Sequence, residues 1–503
     1  MKIKLSSKWL SIYTINGLIV LSSCGLMLNT HFSADTYDIL TTFDNNVDIH
    51  LRDGRFITAG IYRILAILNI NVAKYQNLFS LLFMALVAGM VTFLVYTAAN
   101  YLHNEQTHVL YILNCGFLSI FHNVFIAEWY MFPEAMLMYA ISLLGAVIAA
   151  ISLLRAFFTN APSAKCKCYG LSFTALLIAL GTYQVTIGIY INLLLSMIFI
   201  CNDMSLRDKL STAFKALCMG AFNCILNILI VKLLTMINIM QPSSRGASFN
   251  FQVILNNISL IISQQTEILG GHHIFPSFVL PLFIVLLLGV IVVSVSQQTP
   301  HDWSALAIVL LFSAIIYAGS FIPHIVSSDY WLSQRTLVPI FGVFAFLIVA
   351  GIALCYSKNI LHLLLFFSTA FVLINSLTMT DIFSNRLAVA DFDTAYAKAI
   401  QSYIQRYSDE TGIIIHSIAM RLDSNPSWSY DGIKYVSYDI NVKNMVRSWA
   451  YIPLINRVNN TNYQFVDMNE EVWNTFFAGK DWNEFLPDEQ IIFQNDIAYL
   501  AVY

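Results

Sequence analysis

Charge is what this sequence has least of. Only 11% of its 503 residues are Asp, Glu, Lys or Arg, 58% are hydrophobic, and the formal net charge is −3. Soluble globular domains carry about 25% charged residues, so that class is excluded, and a mean hydropathy of +0.68 agrees. The near-neutral balance provides no basic surface for a nucleic-acid partner. Cysteine is sparse too: eight in all, none after Cys355. The pair Cys166 and Cys168 in "KCKC" has no partner ligands beside it. These cysteines read as ordinary reduced thiols, that pair in a cytoplasmic loop. Also missing are a G-x-S-x-G elbow, an H-E-x-x-H pair, a Walker loop, internal repeats and low-complexity tracts.

What the chain has in abundance is apolar runs. About 20 such residues cross the ~30 Å hydrocarbon core as a helix. Spans are expected near 10–30, 77–100, 109–127, 135–155, 169–182, 184–201, 217–237, 274–296, 303–323, 335–355 and 360–378. The first is too long for a signal peptide and lacks a small-residue cleavage site. The Asn/Gln-rich 250–265 region reads as an interfacial or re-entrant helix. Basic residues set the orientation. Lys2, Lys4 and Lys8, then Arg155, Lys165 and Lys167, then Arg207, Lys209 and Lys215, then Lys358 all fall on one side. The positive-inside rule makes that side cytoplasmic, with the N-terminus there and the C-terminus outside. The tail changes character. "DFDTAYAKAIQSYIQRYSDETG" has helical spacing with a closing Gly, "IIIHSIAM" and "IIFQNDIAYLAVY" favour strands, and "VKNMVRSWAYIPLINRV" reads as a second helix. The expected fold is mainly α: a polytopic membrane region (1–380, about eleven spans) followed by a small extracytoplasmic α/β domain (385–503).

This topology collects the chemically capable residues on the outer face. "FSADTYDILTTFDNNVDIHLRDGRF" packs Asp35, Asp38, Asp44, Asp48 and Asp53 with Arg52 and Arg55 just after the first span. A solvated loop is the plain reading of any one of them. The sharper reading takes Asp35, nearest the span, as a carboxylate facing a cavity at the membrane boundary, where ionisable groups are functional and one can serve as general base. Glu128 and Glu134 in "EWYMFPE" are either interfacial residues in an aromatic belt or lining of the same cavity, with Trp129 among the rings able to stack on a sugar. Tyr183 and Gln184 form a very short outer turn. Arg245 and Arg335 lack local acidic partners. They either snorkel or clamp a phosphate at headgroup depth, with His272 and His273 as further donors. A zinc site from His272, His273, His324 and a carboxylate matches no established metal spacing; no cofactor is expected, with a divalent metal left open. Clean spans, polar only at their outer ends, argue for an enzyme or receptor over a flippase or transporter of lipid-linked sugars.

Taken in order, "SADTY", "LRDGRFITAGIYRIL", "EWYMFPE", "GTYQ", a loop arginine and "QRTLVPIF" resemble the Gtr-type, serotype-converting O-antigen glucosyltransferases. In the tail, "SIAMRLDSNPSWSY", "INVKNMVRSWAYIPLIN" and "FFAGKDWNEF" extend the likeness. The resemblance implies a GT-C-like enzyme of the bacterial inner membrane. Its donor would be undecaprenyl-phosphate glucose and its acceptor a lipid-linked O-antigen or other surface polysaccharide, with transfer on the extracytoplasmic side. It implies a catalytic carboxylate in the first outer loop, best fitted by Asp35, with Asp38 and Asp44 as alternatives; Glu128, in a later outer segment, is a further candidate base. Arg55, Arg245, Arg335 and His272 would then bind the donor phosphate. Glu134, Trp129, Tyr183, Gln184 and Trp428 would bind the acceptor, and Tyr430 and Trp449 offer further sugar-stacking faces.

Overall fold

In hydrocarbon every backbone N–H and C=O must be satisfied within the segment, which turns apolar runs into helices. The computed structural model describes residues 7–41, 43–241, 246–248, 250–298, 303–355 and 357–503. Among them, eight helices are long and apolar enough to cross a membrane: Ser7–Leu28, Gln76–Leu102, Thr107–Tyr130, Pro133–Phe158, Leu206–Met236, Val279–Ser296, Gln334–Leu354 and Lys358–Thr411. The other three expected spans are also helical, as Pro162–Thr182, Thr186–Ile200 and Trp303–Gly319. Cys166 and Cys168 lie inside Pro162–Thr182 rather than in a loop, because Pro162 starts that helix early at a position where its missing N–H costs nothing. The 250–265 region forms helix Phe251–Ser263.

Thr186–Ile200 is buried along its whole length and Thr107–Tyr130 and Gln334–Leu354 along most of theirs, while Leu206–Met236 lies at the periphery. On the latter, Phe214, Phe222, Ile225, Leu229 and Leu233 are exposed. So large an apolar face is untenable in water and ordinary against lipid. Asn16 and Asn114 exchange amide hydrogen bonds at 2.9 and 2.7 Å, a polar tie between the first and third of these helices. At one end of the bundle, Lys8 pairs with Glu105 at 3.2 Å and His103 with Asp203 at 3.1 Å. These join the connections that the basic residues assign to one side.

Close helix approach depends on small residues. Gly342 faces Asn192, whose amide donates to the Pro339 carbonyl at 2.7 Å, and an added Cβ at Gly342 would overlap that amide. Gly342→Ala is expected to cost about 1–3 kcal/mol, read as a lower melting temperature of the detergent-solubilised protein. An unchanged melt would mean that Asn192 swings aside freely.

The tail grows out of the membrane region without a break. Lys358–Thr411 is one helix of 54 residues, ~80 Å long at 1.5 Å per residue, far more than a bilayer core requires. It ends where Gly412 takes the left-handed conformation at φ 74°. Tyr396, Ile400 and Ile404, one turn apart, pack against a four-stranded sheet of β1 (Ser417–Leu422), β2 (Gln464–Val466), β3 (Ile491–Gln494) and β4 (Ile497–Val502). The order is β2-β1-β4-β3, with β1 parallel to both neighbours and β3–β4 an antiparallel hairpin turning at Asn495, φ 55°. The expected helix over "VKNMVRSWAYIPLINRV" is only half present, as Tyr451–Asn459. Its first half is drawn into tertiary hydrogen bonds instead. The Asn444 N–H donates to Asp393 at 3.2 Å, and the Asn444 amide donates to the Phe32 carbonyl at 3.0 Å.

Candidate functional site

The first outer segment is built into the tail domain rather than left as a loop. Phe32 and Tyr37 share the apolar cluster of Ile418, Leu454 and Leu500. The buried Arg386 guanidinium, on the long helix, donates to the carbonyls of Phe32 and Val442, the latter at 3.2 Å. Ser33 and Thr36 then cap helix Ala34–Thr41 reciprocally. The Thr36 N–H donates to Ser33 Oγ and the Ser33 N–H to Thr36 Oγ1, each at 3.0 Å. Asp35 falls in the first turn, where the helix dipole favours a carboxylate. It is open to solvent, and Trp449 Nε1 donates to its Oδ1 at 3.0 Å. Its carboxylate reaches solvent, yet the protein packed closely around it partly desolvates it and raises its pKa above the ordinary carboxylate value, with Asp439 adding to the rise and Arg335, the Trp449 bond and Arg447 opposing it.

Beneath it lies a chain of ion pairs. Glu128 is fully buried, accepts the Arg335 backbone N–H at 2.5 Å and pairs with its Nη1 at 3.2 Å. The same Nη1 meets Asp439 Oδ2 at 2.8 Å, and Asp439 Oδ1 meets Arg447 Nη2 at 2.9 Å. Arg335 lies over the Phe132 ring at 4.5 Å. Its carbonyl accepts from Trp129 Nε1 at 2.8 Å and Tyr183 Oη at 3.4 Å. Trp129 is fully buried and stacked on Tyr139, so its ring has no face open to a sugar. Glu134 is buried and accepts from Thr36 Oγ1 at 2.6 Å and Ser33 Oγ at 3.4 Å, which seats the start of the Asp35 helix.

The other expected residues lie around this core or apart from it. Arg55 pairs with Asp53 at 3.4 Å and covers the Tyr183 ring at 5.3 Å. Gln184 Nε2 donates to the carbonyls of Asp53 and Gly54 at 3.3 and 3.2 Å. Asp38 is half-buried on helix Ala34–Thr41. Asp44 belongs to helix Phe43–Arg52, its side chain lying outside the described atoms, and Arg245 lies outside the described residues. His272 is buried against Phe125 and Tyr438, with Nδ1 on Glu267 at 2.9 Å. Burial lowers its pKa, which Glu267 opposes. Trp428 and Trp449 are exposed and flank Arg447 at 5.3 and 5.8 Å, whereas Tyr430 is a buried ring donating to Asp393 at 2.8 Å. Among the described residues no three His, Cys, Asp or Glu gather as metal ligands.

Asp439, Arg447 and Arg386 were not singled out from the sequence. The only local signal is conformational. Tyr435, Tyr438 and Asn441 have φ of 57°, 51° and 55°, which for tyrosines marks a backbone held in place by its surroundings.

A multi-pass helical membrane body thus presents a carboxylate–arginine site at one end, completed by a mixed α/β domain. A family model described as glucosyl transferase GtrII matches residues 25–350, and the chain belongs to that family. Membership makes it, broadly, a glycosyltransferase, and the architecture is consistent with action on a lipid-linked sugar in a membrane. No curated protein and no solved structure matched the chain.

Proposed function

We propose that the protein transfers glucose from undecaprenyl-phosphate glucose to a lipid-linked O-antigen or similar surface-polysaccharide repeat, on the extracytoplasmic face of the bacterial inner membrane. The observation that carries this reading is the placement of Asp35: solvent-accessible, on a capped helix, tied to Trp449 and set in the field of the Arg335–Asp439–Arg447 chain. Asp35 takes the proton of the acceptor hydroxyl as that oxygen attacks the anomeric carbon. The bond to the phosphate oxygen breaks in the same displacement, and configuration inverts. The leaving phosphate has a low pKa and needs no general acid; positive charge from Arg335, with Arg55 and Arg245 as further candidates, stabilises it. As read, the transfer calls for no cofactor. Exposed Trp428 offers the acceptor a sugar-stacking face.

The direct test supplies purified protein in detergent with labelled polyprenyl-phosphate glucose and a lipid-linked repeat. Label appearing in the acceptor supports the reading, and donor translocation without glycosidic bond formation overturns it. The rate carries a second signature. The base works ionised, so kcat/KM falls as pH drops through the raised Asp35 pKa, placing the acid limb above the ordinary carboxylate range. Trp449→Phe removes a hydrogen bond that favours the ionised form, so its acid limb moves further up. A limb unmoved by that substitution would assign the titration to another group.

A further inference from the structure

Arg335 touches two carboxylates of different standing. Glu128 is wholly buried and holds both the guanidinium and the backbone N–H of Arg335. Asp439 keeps 24% of its side-chain surface exposed and lies between Arg335 and Arg447, giving one oxygen to each, at 2.8 and 2.9 Å. The two guanidinium groups come from opposite halves of the molecule: Arg335 from the membrane body, Arg447 from the tail. Both remain about one-fifth exposed, at 18% and 21%. Two guanidinium groups, each giving one nitrogen to one oxygen of a shared anion, form an arrangement suited to phosphate. A lipid phosphate, as the sugar diester or as the monoester, presents at least two non-bridging oxygens and a negative charge, so it can stand where the carboxylate stands.

The geometry points to a two-arginine seat for the donor's lipid phosphate, formed by Arg335 and Arg447, in which the Asp439 carboxylate stands until the phosphate displaces it. This rests on the proposed use of a lipid-phosphate donor and names the residues that would hold it. Glu128 keeps Arg335 in place from behind when Asp439 leaves. Trp449 links the seat to the proposed base, flanking Arg447 at 5.8 Å and donating to Asp35 at 3.0 Å. Arg447 would thus be a donor ligand contributed by the tail, and Asp439 a residue that sets donor affinity and excludes stray anions.

The test measures binding of farnesyl phosphate, with farnesol as uncharged control, to the full-length protein in phosphate-free detergent. Arg447→Gln is expected to weaken farnesyl phosphate binding by about tenfold or more, the worth of a lost charged hydrogen bond. Arg447→Lys should recover part of that loss. Asp439→Asn removes the competitor, so it tightens binding by about tenfold; a purely structural Asp439 would give the opposite sign together with a lower melting temperature. Farnesol binding stays level throughout. Unchanged binding in a folded Arg447→Gln, or unchanged or weaker binding in Asp439→Asn, overturns the seat. Should Asp439→Asn fail to fold, the Arg447 pair decides alone. If no form of the protein prefers farnesyl phosphate to farnesol, the lipid-phosphate donor itself falls. A preference that neither substitution alters removes only the seat.

Discussion

Asp35→Asn is expected to lower glucosyl transfer by roughly 10²–10⁴-fold, the range of a general base, while melting temperature and donor binding hold. The amide is nearly isosteric and can still accept from Trp449 Nε1, so the local hydrogen bond survives and only the proton acceptor is lost. The neighbouring carboxylates set the contrast. Glu134 is occupied by the hydroxyls of Thr36 and Ser33, and Glu128 by Arg335, so substituting either disturbs the site through its scaffold and should lower stability along with activity. Initial rates and thermal melts on the three Asn or Gln variants separate these cases. Full activity in Asp35→Asn would move the base to Asp38 or Asp44.

Arg335→Ala should be the most damaging single change to stability. It leaves the fully buried Glu128 carboxylate without its cation, and removing one member of a buried pair costs about 3–5 kcal/mol. It also removes the Arg335–Asp439 pair, leaving Asp439 on Arg447 alone, so the contact between tail and membrane body weakens with it. A double variant, Arg335→Met with Glu128→Gln, should recover much of the loss, because the penalty belongs to the stranded charge. Inactivity is expected in both, which is why the readout is the thermal melt in detergent. A wild-type melt for Arg335→Ala would mean that water reaches Glu128.

Local patterns reveal some of this molecule and long-range pairings hide the rest. Apolar runs announce the membrane helices because lipid leaves the backbone no alternative. Gly412 was readable as a helix end because only its φ matters there. Asp35, Glu128 and Arg335 stood out as charges at the edges of apolar runs, where a charge is costly. Asp439 and Arg447 did not, because each is an ordinary polar residue in a tail without periodicity; their meaning comes from partners such as Arg335, 104 positions away from Asp439. Arg386 was hidden differently. It continues the periodicity of the long helix and reads as a solvated charge, although it is buried against carbonyls from both ends of the chain. The helix expected before Tyr451 failed for the same reason: Asn444 spends its hydrogen bonds on Asp393 and Phe32.

The bond from Trp449 to Asp35 joins residues 414 positions apart. At synthesis rates of 5–20 residues per second, that gap lasts about 20 to 80 s. During that interval the nascent chain is already threading its helices into the bilayer, with the carboxylate delivered but neither its indole partner nor Asp439 and Arg447 yet made. With Asp35 as the proposed base, the proposed site is completed last, with the final tenth or so of translation, and a ribosome that stalls before it leaves an inserted protein without that site.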